Sequence, residues 1–188
     1  GNTLGLATKA TKASYREYFI LEDAESSETI LSRRYSVSLL IRHSIQFNMK
    51  NGRHSATARF VNHYLQADGT PIQNRSGWQT LSYGDEFKNR DPRMEQTLHG
   101  PSYVAYQGKG HEMMTFDRNL SGYRIIKFVS STDHENSTTS TTDYPIIRYA
   151  EVLLNYAEAK AELGTLTADD LAKTINVIRA RVGMPGLT

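Results

Sequence analysis

The chemistry-bearing residues of this 188-residue sequence separate by spacing. His111-Glu112 opens the helical zinc-protease pattern, which needs a second histidine three residues after the glutamate so that both imidazoles share one helix face. Thr115 stands there instead. The remaining histidines, at 43, 54, 63, 99 and 134, have no metal-ligand spacing. Glu151 and Glu158 are seven residues apart, about 10.5 Å along a helix at 1.5 Å per residue. That is wide for an acid–base pair on one glycosidic bond, whose carboxyl groups stand roughly 5–9.5 Å apart. Gly108-Lys109-Gly110 lacks both the leading glycine and the following serine or threonine of a phosphate loop. Cysteine is absent, which removes disulfides, thiolate metal sites and a cysteine nucleophile. The sequence therefore nominates no catalytic residue, no metal ligand and no cofactor.

Binding chemistry is better represented. Eleven tyrosines, six phenylalanines and one tryptophan supply rings with an apolar face, and the tyrosines add a polar tip. Trp78 sits in a polar, glycine-flanked stretch where an exposed indole calls for a cover. The C–H face of a sugar stacks on such a ring because the ring face is electron-rich. Tyr83, Tyr103 and Tyr106 can complete an aromatic platform with Trp78, and these four are the candidate ligand-binding residues. The competing reading makes Trp78 a buried anchor for its own loop.

Charge narrows the partners. Twenty-two Lys and Arg against 20 Asp and Glu leave +2, no basic footprint for nucleic acid. No apolar run approaches the roughly 18 residues of a membrane-spanning helix. The residues from Gly1 onward show no basic segment followed by an apolar one, so any leader is expected to lie upstream of this sequence.

Positioning elements follow from periodicity and stop signals. Residues 4–19 are weakly helical in pattern; 28–35 read as a short strand or a helix end, and 37–47 as extended. Residues 57–66 place Phe60, Val61, Tyr64 and Leu65 on one helical face, and Gly69 and Pro71 stop that helix. Residues 72–88 read as irregular loop, and Asp91-Pro92 as a cap followed by a first helical residue. Residues 122–128 form the strongest strand candidate, and 131–142, lacking any apolar residue, a solvated loop. At the C-terminus, 144–163 and 168–182 read as two antiparallel helices. Asp143 and Thr167 are their caps and Gly164 and Gly183 their stops. A single hairpin of this size, close to the roughly 34 residues of a tetratricopeptide unit, cannot bury its own apolar face and must pack on other sequence.

The stretch 143–164, with its run Arg148-Tyr149-Ala150-Glu151-Val152-Leu153-Leu154-Asn155-Tyr156-Ala157-Glu158, resembles the signature helix of the SusD/RagB family of outer-membrane nutrient-binding lipoproteins. Ile175-Asn176-Val177-Ile178-Arg179 through Pro185 resembles the segment after it. Glu28-Thr29-Ile30 with Arg34-Tyr35, Phe60 to Tyr64 with Asp68-Gly69, Asn89-Arg90-Asp91-Pro92-Arg93 and Ser121 to Lys127 match further landmarks in order. The resemblance implies a mainly α fold: a SusD-like helical scaffold with a tetratricopeptide-like hairpin, irregular loops and short strands. On that reading 1–188 is part of a single SusD-like domain, 1–142 its loop-rich ligand-binding region and 143–188 its helical hairpin.

The implied function is non-enzymatic: capture of oligo- or polysaccharide at the cell surface and delivery to a SusC-type TonB-dependent outer-membrane transporter. Membrane attachment would come through a lipid anchor outside this chain. Capture of peptides or another nutrient by the same scaffold, or a helical-repeat adaptor without a small ligand, are the alternatives. The sequence is shorter than is usual for the family and looks like an internal piece of such a protein.

Overall fold

A computed structural model describes residues 4–7, 14–51, 54–104, 119–130 and 138–188. Two strands, β1 (Thr29–Arg33) and β2 (Tyr144–Arg148), pair antiparallel, joining the early chain to its last quarter. Thr29 faces Arg148 and Arg33 faces Tyr144, with register irregularities in between. The strand at 144–148 corrects the helix expected to start there. Tyr144 precedes a proline, which disfavours helical dihedrals, and Ile146 and Ile147 are β-branched. Asp143 does not cap a helix. Its buried carboxylate accepts from the backbone N–H groups of Ala24 and Tyr35, at 3.1 and 3.0 Å, and pairs with Arg34.

Short helical pieces follow: α1 (Ile45–Asn51), the single turns α2 (Ala58–Val61) and α3 (Tyr83–Glu86), and α4 (Pro92–Thr97). Helix α1 covers part of the segment expected to be extended. The helix expected over 57–66 is cut to one turn because Arg90, buried, donates to the Val61 and Tyr64 carbonyls at 3.0 and 2.9 Å. Those are carbonyls a continuing helix would itself need. As the spacing predicts, the Asp91 side chain caps α4 by accepting from the Arg93 N–H at 2.9 Å, and Pro92 stands in its first turn.

Residues 122–128 form no continuous strand. Arg124 bridges to Ser55 and Ile125 to Leu98, so the segment divides its pairing between two neighbours. Of the loop expected to be solvated, Ser140, Thr141 and Thr142 are buried. Ser140 exchanges backbone hydrogen bonds with His43, the Thr141 hydroxyl donates to Glu22, and the Thr142 carbonyl meets His43 Nε2. Polar side chains tolerate burial when their bonds are made.

The C-terminal helices are α5 (Tyr149–Glu162), α6 (Ala168–Lys173) and α7 (Ile175–Arg181). The Thr167 hydroxyl accepts from the Asp170 N–H, and the Asp170 carboxylate accepts from the Thr167 N–H, a reciprocal cap. The expected second helix breaks at Thr174, whose hydroxyl donates to the Asp170 carbonyl at 2.5 Å and whose backbone leaves the helical region. Ala150 and Leu153 pack on Ile178, while Tyr156 and Lys160 reach Asp170. Early α5 thus meets late α7 and late α5 meets α6, the antiparallel arrangement the stop signals predict.

A second core joins the ends of the chain. Tyr15, Tyr18 and Phe19, on a 3-10 turn at Tyr15–Phe19, pack with Val182 and Met184. Beneath the loops, Val61, Phe87, Met94 and Leu98 form another cluster.

Candidate functional site

Five separate stretches, among them Met49 of α1, converge on one aromatic groove. The end of α2 supplies Phe60, which is half exposed, and Tyr64, one turn further on. Their rings stand edge to face, with centroids 5.7 Å apart. The 3-10 turn contributes Tyr15, the segment 125–128 contributes Ile125, Lys127 and Phe128, and α4 contributes Arg93. The cavity so formed measures about 380 Å³. A second cavity of about 320 Å³ shares Phe60, Tyr64 and Arg93 and adds His63 and Asp91. Both volumes fall in the range of about 300–1,000 Å³ typical of small-molecule sites.

The polar groups of the groove are fixed. The Arg93 guanidinium grips the Asp91 carboxylate through Nε (3.0 and 3.2 Å) and Nη2 (2.5 Å). Burial opposes the charge on Arg93, but Asp91 outweighs it and the guanidinium is held above its ordinary range. Burial raises the Tyr64 phenol, and a bond to Thr97 partly offsets this. Lys127 is half-buried, its ammonium 3.9 Å from the centre of the Phe19 ring and 5.6 Å from that of Tyr15. Burial first, then the positive charges of Arg148 and Arg93, push it down to about 8. A half-exposed ring pair beside fixed donors and a cation suits a ligand with both C–H faces and polar edges.

The candidates named from sequence are placed differently. Trp78 is half-buried on a 3-10 turn, Trp78–Thr80, that follows Gly77 in the left-handed region (φ 69°). Tyr83 packs edge-on against Phe87, and its hydroxyl donates to the His99 carbonyl. Burial, with the Glu86 charge second, pushes that hydroxyl up to about 12. Tyr103 is buried, its ring 4.6 Å from the His99 ring and with the Arg16 guanidinium over it. Its edge lines a polar cavity of about 260 Å³ with Arg16, Glu17 and Glu95. Tyr83 and Tyr103 therefore meet at His99. Tyr106, like His111-Glu112, lies outside the described residues. Among the described residues, no group of three or more His, Cys, Asp or Glu is placed to hold a metal ion, and no helix is long and apolar enough to cross a membrane.

Sequence reading missed Tyr15, Arg93, Lys127 and Phe128 as parts of one site. Two signals were present: the aromatic pair at i and i+4, Phe60 and Tyr64, and a lysine inside the apolar run Ile125-Ile126-Lys127-Phe128.

The architecture is a loop-rich helical one, in which short helices and turns carry a groove on a strand-and-helix frame. The chain belongs to the SusD family, which matches residues 41–188. Over its whole length it is similar to a SusD-like carbohydrate-binding protein from Bacteroides fragilis NCTC 9343, with a TM-score of 0.68 and 21% identity, covering 39% of that chain. It is likewise similar over its whole length to a SusD superfamily protein from Parabacteroides distasonis ATCC 8503, with a TM-score of 0.51 and 20% identity, covering 37% of that chain. The chain thus spans well under half the length of these structures. No curated protein matches it.

Proposed function

We propose that this chain binds glycans at the cell surface and delivers them to a SusC-type TonB-dependent outer-membrane transporter, with attachment through a lipid anchor outside the chain. The observation that carries the reading is the Phe60–Tyr64 pair, one ring half exposed and the other partly buried against it edge to face, lining a cavity bordered by Arg93 and Asp91. Sugars present exactly this mixture of apolar C–H faces and polar edges. Family membership and the carbohydrate-binding relative from Bacteroides fragilis support the same conclusion. The role is capture rather than catalysis. The α5–α7 hairpin acts as a tetratricopeptide-like scaffold, and Trp78, on its exposed turn, adds a second stacking position.

A glycan array followed by calorimetry tests this. Binding of an oligosaccharide that weakens on Phe60→Ala supports the reading. Binding of peptides alone would transfer the same groove to peptide capture. Co-purification with a transporter of the SusC type tests delivery.

A further inference from the structure

Resting on the glycan reading, we propose that the groove selects acidic glycans, with the Lys127 ammonium binding the carboxylate of a uronic acid or the sulfate ester of a sulfated sugar.

The charges around the cavity floor do not balance. Arg148 and Arg181 lie over the Phe19 and Tyr15 rings, at 5.5 and 5.6 Å, and both are committed to one fully buried carboxylate, Glu28, at 2.8 and 2.7 Å. Arg93 is committed to Asp91. Lys127 makes cation–π contacts with Phe19 and Tyr15, and the charges acting on it, Arg148 and Arg93, are both positive. Four cations thus share two carboxylates. Among the described residues no carboxylate pairs with the ammonium, yet it lines the larger cavity.

Even a half-buried cation without a counterion is costly. Ring faces offset part of that cost and leave the Nζ hydrogen-bonding capacity unfilled. An anionic group entering beside Phe60 and Tyr64 would complete the ammonium's surroundings while the sugar ring stacks. A neutral sugar would leave the charge uncompensated.

The experiment titrates the full chain at pH 6.5 and low salt with four probes: an oligogalacturonide, its fully methyl-esterified form, a chondroitin sulfate oligosaccharide and its desulfated form. Lys127→Met and Lys127→Gln are measured beside the parent, since removing a half-buried charge with no carboxylate partner among the described residues leaves the fold intact or firmer. The expected result is at least a tenfold preference for one acidic probe over its neutral counterpart, reduced to near parity in both variants. Which acidic probe is preferred distinguishes carboxylate from sulfate. Equal or tighter binding of the neutral forms, or a preference that survives Lys127→Met, overturns the inference and leaves the glycan reading standing. Failure of all four probes, together with silence on a broad neutral glycan array, overturns both.

Discussion

Glu28 and Arg181, 153 positions apart, meet at 2.7 Å in the interior, where the carboxylate is completely buried and the guanidinium nearly so. The other oxygen of Glu28 takes Arg148 at 2.8 Å, and Oε2 also accepts from the Ala7 N–H. One side chain at the start of β1 thus ties the N-terminal segment, the end of β2 and the last helix into a unit.

Glu28→Gln should therefore be strongly destabilising. It keeps the shape but leaves the buried Arg181 guanidinium and the partly buried Arg148 without a counterion, a change that typically costs about 3–5 kcal/mol at a buried pair. Urea unfolding of parent and variant at neutral pH checks the figure. A difference below about 1 kcal/mol would mean that solvent reaches the cluster.

Lys127 should make stability depend on pH in an unusual direction. Its native ammonium is pushed down to about 8 from an ordinary 10.5, so between those values the unfolded chain binds more protons than the folded one. Stability attributable to this residue rises with pH across that window, by roughly 1–3 kcal/mol once partial exposure is discounted. Anion affinity runs the other way and declines as pH passes about 8. Comparing parent with Lys127→Met between pH 7 and 10 isolates both effects, and parallel profiles would refute the assignment.

Phe60→Ala and Trp78→Ala should separate stacking from anchoring. Phe60 is half exposed, so its loss should change the melting temperature little and weaken glycan binding about five- to tenfold, the equivalent of roughly 1–1.4 kcal/mol. Trp78→Ala should weaken binding comparably if the indole stacks on sugar. A lowered melting temperature with unchanged affinity would make it a loop anchor.

Thr167→Ala should remove the reciprocal cap of α6 and cost about 1 kcal/mol. Thr167→Ser should restore most of it. A melting series on the three proteins provides the comparison.

Local signals were legible in the sequence where the partner was local too. Asp91 with Pro92, and Thr167 with Asp170, cap helices because both partners lie within three residues. Asp143 has the same capping chemistry, but its carboxylate is taken by backbone more than a hundred positions away. Helix α2 stops after one turn because of Arg90, nearly thirty residues downstream. The groove was illegible for the same reason: Tyr15, Phe60, Arg93 and Lys127 come from four segments, and nothing in the spacing of any one of them announces the others. Trp78 drew attention because it is unique, a property of composition rather than of place.

The pairing of β1 with β2 has a bearing on how such a protein changes over time. Everything between the two strands, including Phe60, Tyr64, Arg93 and Lys127, leaves the frame at Arg33 and returns at Tyr144. The entropy of closing so long an excursion grows only slowly with its length, about 0.6 kcal/mol for each doubling. Insertions and exchanges in those parts of it that do not pack on the frame, unlike Leu65 and Phe128, therefore burden the frame little, while the two strands and α5 keep their partners. On the proposed glycan reading, specificity can diverge by rewriting the excursion while the frame persists.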